Sequence, residues 1–187
     1  MLLDPQKVSN EMLKAYIKYQ EANDSLIEKW HDFVFLSPRW WVGICLGIIP
    51  WCFWWKFHNK TYTGDLFRAG LFMALIALLM DSIGVQLGLW IYPYDVFPFI
   101  PGDTPWDLTL LPVSAMFLIE MKPKWSPIKK AIIYALLVTL IGEPLAVFFK
   151  VYEPLHWNSI YSFPVYVFLF CLCNKLARSK KFNSRMI

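Results

Sequence analysis

The hydrophobic positions of this chain fall into long apolar runs, separated by shorter polar or proline-containing segments. A helix needs about 20 mostly apolar residues to cross the hydrocarbon core of a bilayer, and five runs approach that length. These runs are 39–57, 66–92, 106–121, 131–151 and 160–176. The pattern predicts an all-α fold, an integral membrane bundle of about five transmembrane helices.

The first 38 residues follow a different pattern. Apolar residues recur at steps of three and four from Val8 to Leu26, with charged residues between them, and this predicts an amphipathic helix. Such a helix can lie on the membrane surface or against the bundle, or its narrow apolar stripe can bind a protein partner or a second copy of the chain. The predicted division is an N-terminal segment 1–38, a transmembrane domain 39–177 and a basic tail 178–187.

The composition agrees with a membrane protein. Of the 187 residues, 57% are hydrophobic and 18% are aromatic, which is too apolar for an ordinary soluble domain. No basic surface with interleaved aromatic residues is left to bind nucleic acid. We therefore expect the lipid bilayer to surround the chain, and we expect no nucleic-acid partner.

The net charge of +4 is unevenly distributed along the chain. The segments after the first, third and fifth runs are rich in lysine and arginine, whereas the alternate loops carry none and one. The basic residues are Lys56, Lys60 and Arg68, then Lys122, Lys124, Lys129 and Lys130, then Lys175, Arg178, Lys180, Lys181 and Arg185. The positive-inside rule places the C-terminus in the cytoplasm; the side of the N-terminal helix stays open, because that helix carries basic residues of its own.

One acid interrupts the second apolar run. Asp81 lies near its middle, where a carboxylate costs about 3 kcal/mol or more. It shares a helical stripe with small residues, which let another helix approach closely. The stripe consists of Gly70, Ala74, Ala77, Gly84 and Gly88. Asp81 is therefore expected to face the interior of the bundle.

A second acid, Glu143, precedes Pro144 in the fourth run. At 1.5 Å per residue, Asp81 and Glu143 lie about 21 and 18 Å from the starts of their helices, at similar depth. Without a cation at that depth they should be protonated, share a proton or hold a cation, or else they are neutral acids that join two helices. The residues predicted to complete a polar pocket with them are Gln86, Thr139 and Asp107.

Aromatic and polar residues concentrate beyond this depth, near the predicted outer face. Most should belong to the interfacial aromatic belt, and the others are expected to line a mouth that leads down to the acids. The candidates for this mouth are Trp90, Tyr92, Trp106, His156, Trp157, Asn158 and Tyr161.

The chain has no P-loop, GxSxG, HExxH, Rossmann or CxxC pattern, so we predict no catalytic motif and no metal ligands, and the sequence identifies no cofactor. The favoured function is a polar intramembrane pocket for a proton, a small cation or a lipid-like ligand. One alternative is an enzyme that modifies an isoprenoid or another lipid, with Asp81, Asp107 and Glu143 as acid and base. Another is a membrane scaffold subunit that recruits a partner through residues 5–36.

Four segments carry a resemblance to known proteins. They are DSIGVQLGLWIYPY at 81–94, PWDLTLLP at 105–112, LIGEPL at 140–145 and HWNSIYSFPVY at 156–166. In this order they resemble a family of small multi-pass membrane proteins from spore-forming Bacillota. The resemblance implies a bacterial plasma-membrane location and a five-helix bundle, and it brings no assigned activity.

A weaker resemblance is to the membrane-embedded lycopene cyclases, in which an aspartate is followed by a W-x-Y stretch and then by a proline before paired glutamates. The residues that fit this order are Asp81, Trp90, Tyr92 and Pro105. Trp106 and Asp107 stand where the paired glutamates would be. The resemblance implies a site for a polyene, and the paired acids are needed there to add a proton and remove another.

Overall fold

The computed structural model describes residues 5–122 and 124–178, and it confirms a helical protein, with 77% of the residues in helices. Most of the predicted basic tail, 179–187, lies outside the described residues. In chain order the α-helices are α1 Pro5–Phe33, α2 Pro38–Phe57, α3 Thr63–Gln86, α4 Leu111–Glu120, α5 Pro127–Leu137, α6 Glu143–Phe148 and α7 Ser159–Ala177. Two short strands, β1 Trp90–Ile91 and β2 Glu153–Pro154, pair antiparallel.

Three helical segments are long and apolar enough to cross a membrane, namely Lys60–Gln86, Pro127–Phe148 and Ser159–Ala177, and the bent pair of α1 and α2 would make a fourth. The third predicted run is not among these segments. Its helical part consists of five π-helical residues followed by the ten residues of α4. The count of five spans therefore stays a prediction.

Helix α1 turns sharply into α2, and the two axes differ in direction by 98°. Ser37 caps α2, since its hydroxyl accepts a hydrogen bond from the Trp40 amide, and Pro38 fills the first helical position, which lacks an amide partner anyway. Two indoles fasten this corner to the chain after α3: Trp30 Nε1 donates to the Asp95 carbonyl at 2.8 Å and Trp40 Nε1 to the Val96 carbonyl at 3.2 Å. Most of α1 is otherwise exposed.

The core forms where α3 packs against α4 and α7, and α7 against α5. The small-residue stripe of α3 is buried, as its spacing predicts, from Gly70 to Gly84, and Asp81 is buried with it at 7% exposure. A Cβ at Gly70 would lie 2.5 Å from the Met116 sulfur, which shows how closely α3 and α4 approach. Gly88 lies beyond the end of α3, in a turn with a φ of +68°.

The segment 87–105 folds back over the end of α3. The Leu89 carbonyl accepts hydrogen bonds from the amides of Leu155 and His156, both at 2.9 Å, beside the β1–β2 pairing. Further along, the Ser82 hydroxyl donates to the Pro101 carbonyl at 2.8 Å. These bonds hold the proline-rich segment across the helix that carries Asp81, so the loop forms one wall around that acid.

Candidate functional site

The Asp81 carboxylate accepts three hydrogen bonds from the segment that folds over it. Oδ1 accepts from Trp90 Nε1 at 2.6 Å and from the Tyr92 hydroxyl at 2.7 Å, and Oδ2 accepts from the Asp103 amide at 3.0 Å. The indole and the amide are obligatory donors. Both oxygens of Asp81 are therefore engaged by donors of the folded-back segment, which fix the orientation of the carboxyl group.

Asp107 lies beside Asp81 in the same buried region. A Cβ at Gly102 would lie 2.8 Å from Asp81 Oδ2 and 3.2 Å from Asp107 Oδ2, so the two oxygens are no more than about 6 Å apart. Asp107 Oδ2 is buried with no hydrogen-bond partner among the described residues. Two buried carboxyl groups this close favour retention of one proton by the pair.

The loop residues beside this pair are also shifted toward their neutral forms. Burial, together with the neighbouring Asp81 carboxylate, raises the pKa of Asp103 to about 7. Burial, with a second contribution from Asp81, raises the pKa of Tyr92 well above its usual value. Tyr92 therefore remains a phenol that can donate to Asp81 throughout the physiological range of pH.

Glu143 lines the same cavity as this pair. The hydroxyl groups of Ser159, Ser162 and Tyr166 on α7 face its carboxylate, but Oε2 is buried without a hydrogen-bond partner among the described residues. A buried polar atom without a partner costs about 1–3 kcal/mol. This unpaired oxygen is consistent with a site that accepts a proton or a ligand hydroxyl.

Asp107 and Glu143 lie at π-helical turns, and each turn is followed two residues later by a proline. In one turn, Trp106–Leu110, the Leu111 amide bonds to the Trp106 carbonyl, and Pro112 follows. In the other, Val138–Gly142, the Glu143 amide bonds to the Val138 carbonyl, and Pro144 follows. Each proline lacks the amide that would bond four residues back. The carbonyl left free by Pro112, at Leu108, accepts a bond from the Trp51 indole at 3.1 Å.

Two glycines make room for the indoles of the site. A Cβ at Gly84 would lie 2.0 Å from the Trp90 ring, and one at Gly142 would lie 2.6 Å from the Trp106 ring. Both distances are far below ordinary van der Waals contact, so these rings pack directly on helix backbone. The absence of a side chain at Gly84 and Gly142 thus sets where Trp90 and Trp106 lie.

Together these groups enclose a cavity of about 100 Å³, the acid cavity. This is room for several water molecules or a small group of a ligand. None of the described residues that line it is a lysine, arginine or histidine, and apart from the acids, the aromatic residues and Ser162 the wall is apolar. The acids that line it are Asp81, Asp103, Asp107 and Glu143, and the aromatic residues are Trp90, Tyr92, Trp106, Tyr152, Trp157 and Tyr166.

The structure places the other predicted site residues elsewhere. Thr139 is buried, but its hydroxyl donates to the Ala135 carbonyl of its own helix at 2.7 Å. Gln86 lines a separate cavity under α1. His156 is exposed and bonds to the Gly88 carbonyl at 3.1 Å. Asn158 caps α7, and Tyr161 packs edge-on against Trp157 at the surface.

The sequence interpretation did not include Asp103, Ser162 and Tyr166, which also line the acid cavity. For α7 a signal existed: Ser159, Ser162 and Tyr166 follow at steps of three and four in an otherwise apolar helix. That spacing puts their hydroxyls on one stripe. Asp103 lies outside helices, where no periodic pattern could have identified it.

No group of three or more His, Cys, Asp or Glu side chains in the described part of the chain is arranged to hold a metal ion. No family model, no curated protein and no solved structure matches the chain.

Proposed function

We propose that this chain is a multi-pass bacterial plasma-membrane protein whose acid cavity holds a proton shared by Asp81 and Asp107 and binds one end of a lipid-like ligand. The observation that carries the proposal is a pair of buried carboxyl groups whose oxygens are no more than about 6 Å apart, in an aromatic cavity with no lysine, arginine or histidine among the described residues that line it. In low dielectric such a pair retains one proton.

A proton fits this pair better than a small metal cation. Both oxygens of Asp81 already accept hydrogen bonds, from Trp90, Tyr92 and Asp103. A cation would have to compete with these three donors, whereas a proton on Asp107 needs only one lone pair of Asp81. The aromatic and apolar remainder of the wall suits hydrocarbon, as is usual for ligand cavities.

The proposed topology has five spans, with the C-terminus in the cytoplasm and the acid cavity in the outer half of the bilayer. Its support is the alternation of basic segments in the sequence and the three apolar helices of sufficient length. If α2 spans the bilayer, the 98° corner directs α1 along the membrane surface. The exposed apolar side chains of α1, such as Met12 and Leu13, would then enter the interface between water and lipid.

Infrared difference spectroscopy of the purified protein across pH tests the shared proton. We expect bands from protonated carboxyl groups near neutral pH, to which Asp95 and Asp103 also contribute. Asp107→Asn should remove the contribution of one carboxyl group, and Asp81→Asn should change the pH dependence of that contribution. Asp24→Asn, which changes an exposed acid of α1, is the control and should leave the bands unchanged. An unchanged band intensity in Asp107→Asn contradicts the assignment of the proton.

Thermal unfolding with farnesol, an isoprenoid alcohol, tests the ligand. A ligand present at about 100 times its Kd stabilises the folded state by about 2.7 kcal/mol, so Tm should rise. Asp81→Asn and Glu143→Gln should each abolish that rise, and Asp24→Asn should retain it. An equal rise in all four proteins would show that farnesol stabilises the protein without binding in the acid cavity.

A second candidate function is an enzyme that protonates an unsaturated isoprenoid, and the unpaired Glu143 oxygen opposite Asp107 favours it. Asp107 would give its proton to one carbon of a double bond, and Glu143 would take a proton from a neighbouring carbon of the resulting cation. The double bond moves or a ring closes, with no net oxidation. Nearby aromatic faces would stabilise the cation. Identical lipid extracts from cells with and without the protein would exclude this activity there.

A further inference from the structure

An apolar groove runs along the outer surface of the bundle, between α3 and α7. It has a volume of about 430 Å³, and every described residue that lines it is apolar. From α3 it includes Ile76 and Met80, and from α7 it includes Val165, Phe168 and Leu169. We call it the lateral groove.

The lateral groove and the acid cavity share part of their walls. Met80, Val165 and Leu169 line both, so these side chains stand between the two spaces. Methionine is unbranched and adapts its shape easily, and Met80 is half-exposed at 40%. A small movement of this side chain would join the two spaces.

The groove is open on its outer side. Phe168 is 63% exposed, and the neighbouring surface of α3 presents Leu75 and Leu79. Both helices are long and apolar enough to cross a membrane. In the proposed topology this surface contacts the hydrocarbon of the bilayer, so a lipid could reach the acid cavity without passing through water.

We propose that the ligand of the acid cavity enters sideways from the bilayer between α3 and α7, and that its hydrocarbon chain lies in the lateral groove while its end reaches Asp81, Asp107 and Glu143. This inference rests on the proposed function. It also defines the ligand class. The acid cavity of about 100 Å³ admits a hydroxyl or an unsaturated chain end but no sugar or phosphocholine group, so the ligand is a chain lipid with a small end group.

The cavity under α1 is the other route that the fold offers. It is larger, at about 590 Å³, but among the described residues Tyr92 alone lines both this cavity and the acid cavity. Its wall also includes the polar side chains of Lys29, Gln86 and Asp95. The apolar lining of the lateral groove suits a hydrocarbon chain better than this mixed wall does. Entry through the α1 cavity is therefore the alternative that the experiment must distinguish.

Photolabelling with a diazirine analogue of farnesol, in nanodiscs of phosphatidylcholine, distinguishes these routes. Labels in the unmodified protein should fall on α3 and α7 near Ile76 and Phe168, and excess farnesol should compete them away. Ile76→Trp fills the groove and should weaken competable labelling about tenfold, the effect of losing contact with roughly two methylene groups. Leu75→Trp, on the exposed neighbouring position of α3, should label normally.

Leu172→Trp, at the far end of the groove, provides a second block in case Ile76→Trp does not fold, and Ala22→Trp blocks the α1 cavity. If only Ala22→Trp reduces labelling while farnesol still raises Tm, the proposed function stands and the lateral route is overturned. Labels on α3 and α7 that excess farnesol does not displace would come from probe dissolved in the surrounding lipid only. That result would overturn the lateral route. If farnesol produces neither competable labels nor a rise in Tm in the unmodified protein, the proposed function fails as well.

Discussion

Replacing Gly84 by alanine should disturb the site more than any other single methyl group in α3. The added Cβ would lie 2.0, 2.3 and 2.6 Å from three carbons of the Trp90 ring. Ordinary contact begins at about 3.4 Å, so the ring must move by about 1.4 Å. Trp90 Nε1 is 2.6 Å from Asp81 Oδ1, and a shift of that size takes the indole beyond hydrogen-bond range.

Two effects set the magnitude. Overfilling a packed site costs about 1–3 kcal/mol, and losing a hydrogen bond to a buried charged group costs about 1.5–3 kcal/mol. Movement of the Trp90 ring relieves part of the overfilling but breaks the hydrogen bond to Asp81. The total cost is therefore smaller than the two full costs added together. We expect Gly84→Ala to lower the free energy of unfolding by about 2–4 kcal/mol.

Gly64→Ala is the matched control in the same helix. Nothing lies within 4 Å of a Cβ at Gly64, so the substitution should leave stability unchanged or raise it by up to about 1 kcal/mol. Equilibrium unfolding of both variants in detergent micelles measures the difference, and near-ultraviolet circular dichroism reports on the Trp90 environment. If Gly84→Ala is as stable as Gly64→Ala and its aromatic spectrum is unchanged, the described packing of Trp90 on α3 is wrong.

Three further predictions concern the other wall and the α1 corner. Gly142→Ala should shift Trp106 by the same mechanism and abolish the rise in Tm with farnesol, a loss that Gly64→Ala should not share. Burial, followed by the Asp103 charge, raises the pKa of Asp95 to about 8, so the folded state binds the extra proton between pH 4 and 8. Stability should therefore fall as pH rises through that range, and Asp95→Asn should make the fall measurably smaller in unfolding at pH 5 and pH 8. Trp30→Phe removes the bond to the Asp95 carbonyl and should speed limited proteolysis between α1 and α2, whereas the exposed Trp41→Phe should not.

The helical part of the site could be predicted from the sequence because depth and rotation follow from residue spacing. Counting placed Asp81 and Glu143 at matched depth, and both line the acid cavity. Residue spacing also predicted Gln86 in this pocket, because its depth along the helix is similar. Five residues after Asp81, it is rotated by about 140° around the helix, which directs it to the cavity under α1. Similar depth is therefore necessary for two groups to meet, but rotation decides whether they do.

The loop part of the site depends on contacts that spacing does not encode. Asp103 reaches Asp81 only because the chain reverses at Gly88 and pairs Trp90 with Pro154, more than 60 residues away in sequence. Gly102, with a φ of +138°, then lets the backbone pass close to both carboxyl groups. Periodicity predicted a proline-rich segment folded onto the bundle, and the partner of each loop residue became evident only in three dimensions.

The two π-helical turns have a consequence for how such a site arises. A π-helical turn closes its ring five residues back, so it holds one residue more than an α-helical turn. Each of these turns is therefore equivalent to the insertion of a single residue into an ordinary helix. Deleting one residue from 106–110 or from 138–142 would restore a regular helix and rotate the chain before the deletion by about 100° relative to the chain after it. A related protein without these insertions would keep the same bundle and lose the meeting of Asp107 with Asp81, so gain or loss of the site would take one codon.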